Sequence, residues 1–183
     1  MNTYTLLMSA PVVVLLALAA FIDWRIRRIP NWLTFTLVLS GLAQSIVMPG
    51  ATISPGSAML GLLTGFVLIF PLYALGAVGG GDVKLLAGIG AWFGPQAAVA
   101  VFAVEAIVGM VMALTQAASQ GKTRLLLKNS ALVAVNLAHV TDVGLEHTKR
   151  TGQGCRSIDR PLPYAVPVLI AVMILLAAGI GGG

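Results

Sequence analysis

Six apolar runs, at about 4–22, 32–48, 57–78, 79–94, 97–118 and 161–180, take up most of this chain. A helix that crosses a bilayer needs roughly 20 mostly apolar residues. Backbone in lipid must also satisfy its own N–H and C=O groups, which a helix does. The runs therefore predict an all-α integral membrane protein, a single bundle of about six transmembrane helices. Charge agrees: 9% of the 183 residues are charged and 58% are hydrophobic, where soluble domains carry roughly 25% charged residues. A soluble surface with so few charges would expose large apolar patches and aggregate. Ala17, Ala19 and Ala20 near the end of the first run resemble a signal-peptide cleavage region. Residues 1–5 carry no basic side chain, however, and the apolar stretch is long for a signal, so this run is expected to remain as the first span.

The basic residues orient the bundle. Arg25, Arg27 and Arg28 follow the first span, and Lys84 follows the third. Lys122, Arg124, Lys128, Lys149, Arg150, Arg156 and Arg160 lie between the fifth and sixth. With six spans all 11 fall on one side, and the positive-inside rule makes that side the cytoplasm, with both termini outside. The largest segment between spans is the cytoplasmic loop at about 119–160. Within it, 125–140 is apolar but broken by Lys128, Asn129, Asn136 and His139, which reads as an amphipathic helix on the membrane face. The net charge of +5 thus reflects cytoplasmic loops rich in Lys and Arg on a protein whose partner is membrane lipid. Nucleic-acid binding is not expected, because the basic residues are not interleaved with exposed aromatics. The single cysteine, Cys155, excludes an internal disulfide. His139 and His147, with no third ligand at suitable spacing, do not make a metal site.

Only six acidic residues exist, and Asp142, Glu146 and Asp159 belong to the polar loop. Asp23, Asp82 and Glu105 lie in or at the edge of spans, where a carboxylate is costly and marks function by default. Asp23 closes the first span ahead of three arginines, so an interfacial acid balancing those cations is an equal reading. Asp82 follows Gly79, Gly80 and Gly81. Small residues serve helix packing, as at Gly61 and Gly65, but packing alone does not explain an aspartate in the crowded seam. Both aspartates fall near the cytoplasmic face on different helices, the placement an aspartyl peptidase needs. Two carboxyls a few ångströms apart share a proton and titrate as a unit. The charged one takes a proton from water, the protonated one polarises the scissile carbonyl, and neither metal nor cofactor is required. Glu105, near the middle of the fifth span, reads as a structural carboxyl bonded to a neighbouring helix in preference to a third functional one. Pro30 suits the start of the second helix, where its missing N–H is no loss.

Gly79, Gly81, Asp82 and Lys84 match the Gly-x-Gly-Asp-x-Lys pattern of the type IV prepilin peptidase family. The segment Asp23-Trp24-Arg25-Ile26-Arg27-Arg28-Ile29-Pro30-Asn31 resembles that family's first aspartate motif, and Pro161-Leu162-Pro163-Tyr164-Ala165 resembles a Pro-Tyr motif near its last helix. The resemblance covers essentially the whole chain. It implies an enzyme of the bacterial inner membrane, its active site facing the cytoplasm, that removes the short basic leader of a prepilin next to the pilin's hydrophobic helix. Asp23 and Asp82 would be catalytic. Gly79 and Gly81 would let Asp82 approach its partner and the substrate, with Lys84, Pro30 and Asn31 in support. Long members of the family carry a methyltransferase region between their first two spans, whereas here only 24–31 separates them. The chain is therefore similar to the short, peptidase-only members of tight-adherence (Flp) pilus systems, with archaeal preflagellin peptidases a related form. Presenilin-like proteases share Gly-x-Gly-Asp but are much longer and need a Pro-Ala-Leu motif, absent here. The alternative from another class is a small proton-coupled transporter using Asp23, Asp82 and Glu105 as a relay. It fits less well, because the chain shows no internal repeat and its carboxyls gather toward one face.

Overall fold

The structure, a computed structural model, describes residues 3–47, 53–74, 78–121, 123–124, 128–131, 135 and 163–179. It is helical, with no strand among the described residues. The helices are α1 (Thr3–Ile26), α2 (Asn31–Val47), α3 (Pro55–Ala74), α4 (Gly80–Ser119) and α5 (Ala165–Ala177). Three are long and apolar enough to cross a membrane: α1 over Ser9–Ile26, α3, and α4. At 17 and 13 residues, α2 and α5 fall short of the roughly 20 that a full span takes.

The 40 residues of α4 do not run straight. Gly94 has φ 83° and ψ 178°, a conformation open essentially only to glycine, and Pro95 cannot donate to the carbonyl four residues back. At 1.5 Å per residue, a straight helix would hold Asp82 and Glu105 about 34 Å apart. Both instead line one cavity, so 80–93 and 95–119 fold back on each other at Gly94. With α4 divided there, each of the six apolar runs of the sequence carries a helix.

The packing follows from residue size. α3 lies antiparallel against 80–93, Gly61 facing Gly90 while Gly65 faces Leu86 and Ala87. A Cβ on Gly65 would stand 2.5 Å from the Leu86 carbonyl oxygen, so the two backbones touch where side chains are missing. The packing role expected of Gly61 and Gly65 holds. α2 meets α4 through hydrogen bonds that satisfy polar groups within the apolar bundle: Trp92 Nε1 donates to the Leu37 carbonyl at 2.9 Å and Gln44 Nε2 to the Trp92 carbonyl at 3.1 Å. The core joins Leu16 of α1, Leu33 and Leu37 of α2, Leu85 and Ile89 of α4 and Val168 of α5, all fully buried. The outward surface is apolar too, with Phe21, Phe35, Phe66, Val67 and Phe70 exposed. That distribution suits lipid as the solvent. Trp24 and Trp32, exposed at the Asp23 end, suit its headgroup boundary.

The sequence expectations differ from the structure at the ends of helices. α1 runs on to Ile26 past Asp23, and α5 begins only at Ala165. The loop 119–160, with its expected amphipathic helix at 125–140, falls largely outside the described residues, as do His139, His147 and Cys155.

Candidate active site

Asp23 sits in the last turns of α1 and is only 5% exposed. Its Oδ2 accepts the backbone N–H of Ala165, the first residue of α5, at 3.0 Å. The helix ends three residues later, at Ile26. Arg27 N–H donates to the Asp23 carbonyl at 2.8 Å, and Arg27 adopts φ 55°, the left-handed conformation that usually falls to a glycine at a helix end. This turns the chain into Ile29 and Pro30. The Pro30 carbonyl accepts from Leu33 and Thr34 and so starts α2, one residue ahead of the first helical residue.

Asp82 lies in the first turn of α4, partly buried. Its Oδ2 accepts the Gly79 N–H at 2.8 Å, and its own N–H donates to the Gly79 carbonyl at 3.1 Å. Gly79 itself is extended, at φ −85° and ψ 159°, a conformation any residue adopts. Its contribution here is a backbone donor. Gly81 matters through closeness: a Cβ there would stand 3.1 Å from Ile29 Cβ. The Asp23 segment thus rests on the Gly-rich start of α4, and the two aspartate motifs touch. Asp23 and Asp82 thus stand on adjoining helix ends.

A cavity of about 850 Å³ opens at this end of the bundle. Gly79, Gly80, Gly81 and Asp82 form one wall, Glu105 and Tyr164 another, and Arg27 and Arg28 also face it. Asp23 is not on its wall. Glu105, expected to be a structural carboxyl bonded to a neighbouring helix, does accept such a bond, from Tyr164 Oη beside α5. It also faces the same space as Asp82. Tyr164, Arg27 and Arg28 are site residues to which the sequence assigned no role. The signals for them were the Pro-Tyr resemblance and the arginine run.

Lys84 and Asn31 do not face this cavity. Lys84 Nζ donates to Asn31 Oδ1 at 2.9 Å, tying the start of α4 to that of α2, and both line a second, smaller cavity of about 500 Å³ with Trp32 and Phe35. Because the pair is exposed, Lys84→Met should lower stability by under about 1 kcal/mol. Asn31→Ala should do the same, and the double variant should add little, since both changes remove one contact. Melting in detergent reads this; fully additive losses would show that the contact is not made.

Residues 11–114 match the profile of the type IV leader peptidase family, a stretch that includes Asp23, Asp82 and Glu105. The prepilin leader peptidase/N-methyltransferase of Aeromonas hydrophila is 35% identical over 108 residues, 55% of this chain and 36% of that protein. The protein of the same name from Pectobacterium carotovorum subsp. carotovorum is 36% identical over 100 residues, 51% of this chain and 35% of that protein. The one from Neisseria gonorrhoeae is 29% identical over 109 residues, 56% of this chain and 37% of that protein. The matched stretch is thus little more than a third of each of these relatives. No solved structure matches the chain.

Proposed function

This chain belongs to the type IV leader peptidase family, and on that premise we propose that it is a membrane-embedded aspartyl endopeptidase that removes the short basic leader of type IV or Flp-type prepilins. The observation that supports the reading is the contact between the segments that carry Asp23 and Asp82. They stand 59 residues apart in the chain on different helices, Gly81 beside Asp82 packs on Ile29 of the Asp23 segment, and Asp82 lines a cavity large enough to admit a peptide segment. In this mechanism one carboxylate takes a proton from water as its oxygen attacks the scissile carbonyl carbon, while the other carboxyl polarises the carbonyl oxygen. Collapse of the tetrahedral intermediate breaks the C–N bond, and the amine leaves with a proton from the pair. No cofactor takes part.

The site lies at the cytoplasmic face of a bacterial inner membrane, with six spans and both termini outside. Arg25, Arg27, Arg28 and Lys84 cluster at the Asp23–Asp82 end, where the positive-inside rule expects them. Methyl transfer is not part of the activity. The relatives' names join peptidase to N-methyltransferase, but α1 and α2 here are joined by only 27–30, which holds no further domain.

Incubating the membrane-embedded protein with an Flp-type prepilin and S-adenosylmethionine tests both parts. The expected product is a shortened pilin whose new N-terminus has the mass of a free, unmethylated amine. Failure to cleave any prepilin class would leave the proton-relay transporter as the stronger reading, and a methylated product would overturn the peptidase-only assignment.

A further inference from the structure

One oxygen on the cavity wall has no partner among the described residues. Glu105 is 4% exposed, and its Oε1 accepts the Tyr164 hydroxyl. Its Oε2 has no hydrogen-bond partner among the described residues. A buried polar atom in that state is a group waiting for a partner. The side chain lines the same cavity as Asp82, so whatever enters to be cut passes within its reach.

A peptide entering the cavity brings the complementary problem. An extended strand leaves its main-chain N–H and C=O groups unpaired, and in a cavity walled largely by apolar side chains each group left without a partner is costly. The bundle must supply polar atoms at the level of the scissile bond, and Glu105 offers one already oriented by Tyr164. We propose that Glu105 is a substrate-binding residue: its Oε2 pairs with a main-chain polar group of the peptide strand lying beside Asp82, while the Tyr164 hydroxyl holds Oε1. The inference rests on the peptidase reading above. It assigns Glu105 a hydrogen bond to substrate and no proton transfer in the chemical step.

A rival role runs through the backbone. Tyr164 is followed by Ala165, whose N–H holds Asp23, so in this rival Glu105 positions Asp23 by anchoring the start of α5. The two roles separate in kinetics. Lost binding shared by ground and transition states raises KM with kcat unchanged, whereas a displaced Asp23 lowers kcat.

The test is steady-state cleavage of a prepilin by wild type, Glu105→Leu, Glu105→Gln and Tyr164→Phe, with Asp82→Asn alongside. Glu105→Leu should raise KM about tenfold with kcat within about threefold of wild type. Glu105→Gln, whose amide can serve a main-chain donor or acceptor, should recover most of the affinity that leucine loses. Tyr164→Phe should raise KM by a smaller factor, and it carries the test if Glu105→Leu fails to reach the membrane. An unchanged KM in Glu105→Leu or Tyr164→Phe overturns the proposal. So does a fall in kcat alone, which in Glu105→Gln would mean proton transfer and in Glu105→Leu positioning of Asp23. A wild type no faster than Asp82→Asn would sink the peptidase reading and this inference with it. Normal wild-type turnover with an unaffected Glu105→Leu would sink the inference alone.

Discussion

Asp82→Asn and Asp23→Asn should each lower leader cleavage by at least about 10³-fold while leaving the protein folded in the membrane. The expectation separates chemistry from architecture because both aspartates also hold helix ends. Asp82 closes the first turn of α4 on Gly79 N–H, and Asp23 receives the N–H of Ala165. Asparagine keeps an oxygen that accepts each of these bonds, so the capping and the α1–α5 contact survive. What asparagine cannot do is share or exchange a proton. Changing both residues together should be scarcely worse than changing either, because groups that act as one unit are strongly non-additive. The profile of kcat/KM against pH should be bell-shaped, its limbs belonging to the pair as a whole. Full cleavage by either single variant, in membranes where it accumulates normally, would reduce that aspartate to a helix cap. Equal accumulation but no proteolysis in wild type or variants would point to proton-flux assays instead.

How much of this was legible in the sequence depends on the range of each interaction. Asp23 and Asp82 stand out without any structure, because a carboxylate in an apolar run has to be explained. The reversal at Gly94 was visible as the gap between the fourth and fifth runs, with Pro95 inside it. The close seam of α3 on α4 was visible as Gly61 and Gly65. The pairings that complete the site were not visible. Tyr164 reaches Glu105 across 59 residues, and Ala165 reaches Asp23 across 142. Nothing periodic in a sequence encodes contacts at that separation. The Ala165 and Gly79 donors are backbone groups, so residue type carries no sign of them. The left-handed turn at Arg27 is equally hidden, since arginine seldom adopts it and only the surrounding packing imposes it. The family resemblance puts Lys84 and Asn31 in support of the catalytic pair by their position in the motifs. In space they belong to a neighbouring face, where they lock α2 to α4.

That scaffold gives the second large effect, a loss of stability at a residue remote from the chemistry. Gly61→Ala adds a single carbon that would collide with the Gly90 carbonyl oxygen, and Gly90→Ala meets Gly61 in the same way. The obstacle is backbone on both sides, so no side chain can turn aside and the two helices must separate. Lipid does nothing to press them together again, since its tails are as apolar as the seam, and close contact of small residues is a main source of helix association there. Overpacking of this kind costs about 1–3 kcal/mol, and a larger side chain such as leucine should prevent accumulation of the folded protein. Gly56→Ala is the matched control, because a Cβ at Gly56 meets nothing within 4 Å. Melting in detergent should therefore fall for Gly61→Ala and stay near wild type for Gly56→Ala. Activity should fall with it at temperatures well below the melt, because the 80–93 stretch that α3 grips is the one that presents Asp82. A Gly61→Ala protein that melts and cleaves like wild type would mean that α3 and α4 do not meet at this seam, and the placement of Asp82 would have to rest on other contacts.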